Sequence, residues 1–263
     1  MLRLLVALLG LLGLTSVLAA DTEGTSFQAL FFRNQLIGTQ LSLDLVNNND
    51  AAVNVTFSYF LWDGTYTDAN SPKTETVVVA GQSFSTYPVD KNCVYPIIGP
   101  GMNIYPDLRI KITSTAKISV YATNLATNKN AHTVGDTYLV LPDSMADRNY
   151  VVSLPDAVKS TDPTDLWQMK VLYFIPVDSN VQVQVQQYNS RGQSTILSVS
   201  LSSAQKSDLK YFAQRSGFGN DLFKISGNGR FLVLAGVTCA PEAVGSDCDF
   251  AAFMPPPVVD PNG

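Results

Sequence analysis

Residues able to do chemistry are scarce in this sequence, which holds three cysteines and one histidine. Cys239 and Cys248 share one loop with eight residues between them. In an oxidising compartment such a pair forms a local disulfide. In the chain-entropy picture it contributes about 2–3 kcal/mol. The competing reading is a pair of metal ligands, but no histidine or further cysteine lies near to complete a tetrahedral set. Cys93, in KNCVYP, is left over, either as a buried thiol or as a covalent link to another chain. Asn54-Val55-Thr56 is an N-glycosylation sequon. Asn54 alternates outward from Val53 and Val55, so its side chain is expected to face solvent.

Catalytic constellations are harder to find. His132, in TNKNAHTVG, is a lone loop histidine and reads as a bystander rather than a general base. Ser83, in GQSFS, misses the G-x-S-x-G elbow because position 85 is Ser, and no strand-to-helix context surrounds it. Asp162 and Asp165 in STDPTDLW, with Asp178 in VDSN, carry the hard oxygens a calcium site needs, and the same residues read as Asx turns. Glycoside hydrolysis would want two facing carboxylates with aromatic platforms, for which Trp62 and Trp167 are the candidates. Each tryptophan flanks an expected strand, where packing is the default role. No catalytic, cofactor-binding or metal site is assigned, and the chain reads as non-enzymatic.

The elements that position these residues come from an internal echo. Residues 111–122 read KITSTAKISVYA, and residues 224–235 read KISGNGRFLVLA. Lys111, Ile112, Val120 and Ala122 recur as Lys224, Ile225, Val233 and Ala235, an offset of 113. The same offset carries DTYLVLP (136–142) onto DFAAFMP (249–255). Two matched blocks imply two related domains in tandem. Upstream, LSLDLVNNNDAAVNVTFSYF puts Leu41, Leu43 and Leu45 on one face, then an Asn/Asp turn, then Val53, Val55, Phe57 and Tyr59 on one face. That pattern predicts a hairpin. KVLYFIPVDSNVQVQVQQY repeats the plan, with Val181, Val183 and Val185 inward and Gln182, Gln184 and Gln186 outward.

Further strands are predicted at 74–80, 108–112, 150–154 and 194–201, and SAQKSDLKYFA (203–213) is the one expected helical turn. Short strands without βαβ alternation predict antiparallel β-sandwiches. The expected fold is all-β: two tandem related antiparallel β-sandwich-like domains, residues 21–145 and 146–263, meeting between 142 and 150. Ser119 and Tyr121, outward in the first copy, become Leu232 and Leu234 in the second. That strand is apolar on both faces and needs cover on both sides.

Composition bounds the setting. The first twenty residues, MLRLLVALLGLLGLTSVLAA, have one arginine, an apolar run too short to span a bilayer and a Val-Leu-Ala end, the pattern of a secretory signal peptide (1–20). The expected location is therefore secreted and extracellular, with no membrane insertion after cleavage. Net charge is −5, and −6 without Arg3 of the leader. No Lys/Arg cluster appears, which argues against nucleic-acid partners.

GTSF (24–27), FFRN (31–34), KISVYATN (117–124), DTYLVLP with NYVV (149–152), and LAGVTCAP followed by CDF and MPP occur in an order that resembles the N-terminal domain of IgGFc-binding protein. The resemblance spans about residues 24–256. Cys239 and Cys248 fall where that family places a paired cysteine loop. It implies an extracellular, mucus- or matrix-associated module acting in adhesion or scaffolding, with extracellular proteins or glycans as partners. Immunoglobulin binding does not carry over, because no Fc-contacting residue can be matched to a position here. Binding loops are expected at residues 124–135 and 237–248. The alternatives are an extracellular glycan hydrolase and a structural block cross-linked into a covalent oligomer through Cys93.

Overall fold

Each half of the chain hangs on one long strand, Ile110–Thr127 and Asp221–Pro241. The computed structural model describes residues 21–34, 40–61, 72–127, 133–158, 168–189, 192, 194–202, 209–215, 219–241 and 248–258. The first half supplies β1 (Gly24–Ala29), β2 (Phe31–Phe32), β3 (Gln40–Asn47), β4 (Val53–Tyr59), β5 (Lys73–Val79), β6 (Ser83–Val89), β7 (Val94–Tyr95), β8 (Gly101–Tyr105), β9 (Ile110–Thr127) and β10 (Thr133–Val140). The second supplies β11 (Asp147–Leu154), β12 (Met169–Pro176), β13 (Val181–Tyr188), β14 (Ser194–Leu201), β15 (Leu209–Arg215), β16 (Asp221–Pro241) and β17 (Cys248–Phe253).

The fold is all-β, two related antiparallel units in tandem. The first part of β9 pairs with β1 and β4, and its later part with β3 and β10. It thereby runs through both layers of a sandwich, β1-β9-β4-β5 and β10-β9-β3-β6. β16 does the same in the second half, with layers β11-β16-β13-β14 and β17-β16-β12-β15. The correspondence extends to register. Ser26 pairs with Thr113 and Gly24 with Ile118 across a register shift; Asn149 pairs with Ser226 and Asp147 with Phe231 across the matching shift. Ala122 opposes Leu43, and Ala235 opposes Leu172. The segments around Ile118 and Phe231 therefore hold equivalent positions.

The structure corrects three expectations. The strands at 41–45 and 53–59 are not a hairpin: β3 and β4 pair with β9, not with each other, and the same holds for β12 and β13 around β16. Each carries one apolar face, and facing layers bury two such faces as completely as a hairpin on a common core would. The Asn turn survives as a crossover. Buried Asn47 donates to the carbonyls of Ala51, Val79 and Ala80 at 2.9, 3.1 and 3.0 Å, and its Oδ1 accepts from Asn49 N. Second, the expected helical turn at 203–213 is contradicted over 209–213, which belong to β15; residues 203–208 lie outside the described residues. Third, the match of 136–142 to 249–255 slips by two residues. Tyr138 and Phe253 oppose the equivalent Ala122 and Ala235, because β17 shifts register between Val237 and Ala240.

Two apolar cores result. β16 belongs to both: Leu232 and Leu234 face the larger one, shared with the first half, while Phe231, Val233 and Ala235 face the smaller one inside the second sandwich. β12 is buried at every position, dividing Val171, Tyr173 and Ile175 from Leu172 and Phe174 in the same way. The expected double cover of Leu232 and Leu234 is therefore supplied by the first half of the chain. β17 turns Phe250 and Ala252 to the same shared core.

Straps reinforce the contact. Residues 90–109 have no counterpart of equal length in the second half. They place β7 parallel to β2 and add β8 to the edge strand β15 of the other sheet. Tyr211 accepts from Ile98 N at 3.1 Å and donates to Pro96 O at 3.0 Å. Phe32 lies so close to Gly236 that a Cβ there would stand 2.4 Å from its ring. At the far rim Gly135 N donates to Asp249 and Ala252 N donates to Asp136, at 2.8 and 3.0 Å. The flanks of the two expected binding loops are therefore neighbours.

Leu232→Asp places an unpaired charge in the shared core, a cost of several kcal/mol against a total stability of about 5–15. The yield of folded protein should collapse for this variant. It should stay near wild type for Tyr121→Asp, whose side chain is 38% exposed in the first copy. Immunoblots of the soluble fraction after expression make the comparison.

Candidate functional site

Strand alternation builds the site. On the β1–β9 ladder Phe27 opposes Ile112, and both are buried. The intervening pairs, Ser26 with Thr113 and Gln28 with Lys111, point to the other face. Residues 143–145 form a single 3₁₀ turn between β10 and β11, which sets Asp143 over that face. Pro176 and Val177, where β12 of the second half ends, close it from the other side. The result is an open cleft of about 250 Å³ lined by Ser26, Phe27, Gln28, Lys111, Thr113, Asp143, Pro176 and Val177.

The polar groups of the cleft are held from behind. Ser26 Oγ donates to Asp143 Oδ2 at 2.6 Å and Gln28 Nε2 to Oδ1 at 3.0 Å. The Gln28 oxygen accepts from Arg109 Nη1 at 3.0 Å, so its amide cannot rotate without losing two bonds. Arg109 is clamped by Asp107 through Nε at 2.7 Å and Nη2 at 2.6 Å, with both side chains almost fully buried. Burial alone would lower the Arg109 pKa, but the hydrogen bond and charge of Asp107 carry it above its usual value. Tyr95 closes the chain, accepting from Leu108 N and donating to Asp107. A buried pair thus fixes an amide, and the amide fixes a carboxylate at the cleft.

Lys111 is the contrasting group. Its ammonium has no hydrogen bond or ion pair among the described residues. Partial burial first, and the Arg109 charge second, lower its pKa, opposed by Asp107 and Asp143. Chemically the cleft offers the three N–H donors of Lys111, the Asp143 carboxylate with lone pairs to spare, and the hydroxyls of Ser26 and Thr113. Its apolar wall is Pro176 and Val177.

The residues singled out by sequence lie elsewhere. Cys93 is fully buried, and burial, then Asp90, pushes its thiol up to about 12. Its raised pKa leaves stability unaffected below about pH 9, where the unfolded thiol ionises, and erodes it as pH rises towards 12. Cross-linking through Cys93 would require this enclosed segment to open. Asn54 is exposed on β4, as alternation predicts. Cys239 is buried on β16, and the backbone of Cys248 opens β17 opposite Pro241. Asp178 forms an ion pair with Arg230, Oδ1 to Nη2 at 2.9 Å. Ser83 opens β6 and is exposed. Trp62, His132, Asp162, Asp165 and Trp167 lie outside the described residues. No group of three or more His, Cys, Asp or Glu that could hold a metal is found among the described residues. The cleft itself was missed, although polar Ser26, Gln28, Lys111 and Thr113 interrupting apolar strands were a visible signal.

Fold and cleft together define a tandem β-sandwich protein with a polar site at the seam of its two units. No family model and no curated protein matches the sequence. Four chains of solved structures do match. One, described as the crystal structure of Thermotoga maritima 1070, is 14% identical, covers 44% of this chain and 92% of that chain, and has a TM-score of 0.31. So distant a likeness transfers neither fold nor function.

Removing one partner of a buried ion pair costs about 3–5 kcal/mol, whereas apolar replacement of both is often neutral. Asp107→Asn should therefore shift the urea midpoint sharply downward. The double variant Asp107→Leu/Arg109→Met should recover most of the loss. Equilibrium unfolding followed by circular dichroism gives both values.

Proposed function

We propose that this chain is a secreted, non-enzymatic module that binds proteins or glycans in an extracellular layer, in the manner its resemblance to the IgGFc-binding protein N-terminal domain implies. The observation that carries this reading is the seam cleft. Its hydrogen-bonding groups are pre-oriented by a buried network, which is how a binding site keeps its geometry before a ligand arrives. Asp143 is the one carboxylate lining it among the described residues. Glycoside hydrolysis works with two facing carboxyls, so the cleft suits recognition better than cleavage. The leader-like N-terminus supports secretion, and the exposed Asn54 sequon supports glycosylation.

The Cys239–Cys248 bridge belongs to the same reading. Cys239 lies two residues from Pro241, whose ladder partner is Cys248, and Cys239 is not among the free thiols. In an oxidising compartment the bridge closes the β16–β17 loop.

The test is retention. Secreted protein incubated with the isolated extracellular layer should sediment with it saturably and leave glycan chain lengths unchanged. Protein that stays wholly in the supernatant, or that shortens the glycans, overturns the proposal. Thiol titration checks the bridge: the native chain should give no reactive thiol, denaturant alone should expose one, and denaturant with reductant should expose three. Three thiols without reductant would exclude the bridge.

A further inference from the structure

From the cleft's donor and acceptor pattern we infer that its ligand is an acidic saccharide residue, a sugar ring bearing a carboxylate, held between Lys111 and Asp143. The inference rests on the extracellular-binding reading above and narrows it to a chemical class.

Ligand and cleft must match group by group. Lys111 offers only donors, and with no protein partner among the described residues its natural complement is an anionic oxygen. Asp143 offers only acceptors. Each of its oxygens already takes one proton donor, Ser26 on one and Gln28 on the other. A carboxylate accepts about four hydrogen bonds, so one position per oxygen remains for ligand hydroxyls. A ligand that satisfies both sides must carry an anion and neighbouring hydroxyls on one rigid frame. The hydroxyls of Ser26 and Thr113 sit opposite each other in register, beside the Gln28–Lys111 pair on the same face. Pro176 and Val177 supply an apolar wall for the C–H face of a ring. A volume of about 250 Å³ is below the roughly 300–1,000 Å³ of drug-sized sites and suits one ring rather than an extended chain lying inside.

The second copy supplies an internal comparison. Lys224 is the repeat equivalent of Lys111, but the residues opposite and beside it on β11, Val151 and Asn149, are both exposed. Among the described residues no turn from the other half roofs them as Pro176 and Val177 roof Lys111. The cleft is therefore a product of how the two halves dock.

The experiment is saturation-transfer NMR and calorimetry on the full secreted chain with four probes: glucuronic acid, N-acetylneuraminic acid, galactose and acetate. Binding of at least one acidic sugar is expected, about tenfold or more tighter than galactose or acetate, as loss of one charge-assisted pair implies. Lys111→Met should abolish that preference and Lys224→Met should leave it intact, with near-wild-type circular dichroism for both. Equal binding of acetate and the acidic sugars, or binding unchanged by Lys111→Met, overturns the inference. Binding of none of the probes overturns it as well. Retention on the extracellular layer is read separately: retained protein that ignores the acidic sugars refutes the ligand class and spares the module, and unretained protein refutes the module.

Discussion

Strand β12 and the 231–239 stretch of β16 cannot meet water on either face, and most of the architecture follows from that constraint. A sandwich needs to hide one face of each strand. Here Val171, Tyr173, Ile175, Leu232 and Leu234 extend the apolar surface to the outside of the second unit. A fully buried side chain of this size contributes about 1.5–3 kcal/mol, so leaving this face bare would exhaust the margin on which a domain survives. The first half covers it. Gly236 lets Phe32 approach, the 90–109 segment lends β8 to the neighbouring sheet, and Tyr211 pins that segment by two backbone bonds.

The cleft is a consequence of this docking. Ser26, Gln28, Lys111 and Thr113 are outward residues of an ordinary ladder, and Asn149, Val151 and Lys224, which replace the first three in the second copy, are exposed. Once the second half is seated, Pro176 and Val177 wall them in. Asp143, from the turn that joins the halves, becomes the acceptor of the site. The buried Arg109–Asp107 pair holds Gln28, and through it Asp143, so core packing and site geometry are coupled by hydrogen bonds rather than by proximity alone.

Much of the fold was legible because β-strands write their environment into a two-residue period. The Val/Gln alternation at 181–186 is inward and outward as read, and the apolar substitution of Ser119 and Tyr121 by Leu232 and Leu234 announced the second covered face. The echo around 111 and 224 was legible because each long strand meets four partners in matching register, which restricts what it can become. Pairing was less legible. Leu41 to Leu45 and Val53 to Phe57 satisfy a hairpin and a pair of facing layers equally, since both bury the same side chains. The 203–213 segment reads as a helical turn by composition, yet tertiary pairing with β12 draws its end into a strand. The cleft escaped notice because its parts are ordinary residues far apart in sequence: Ser26 and Asp143, separated by 117 positions, meet only after both halves have folded.

The central claim is that the two halves are one cooperative body joined through the outer faces of β12 and β16. Native-state hydrogen exchange over a urea series tests it most directly, by comparing amides of β4 in the first half with those of β13 in the second. The account predicts that the slowest amides of both strands converge on one opening free energy with one urea dependence. Separate global openings, with the two strands differing by more than about 1 kcal/mol across the series, would contradict it.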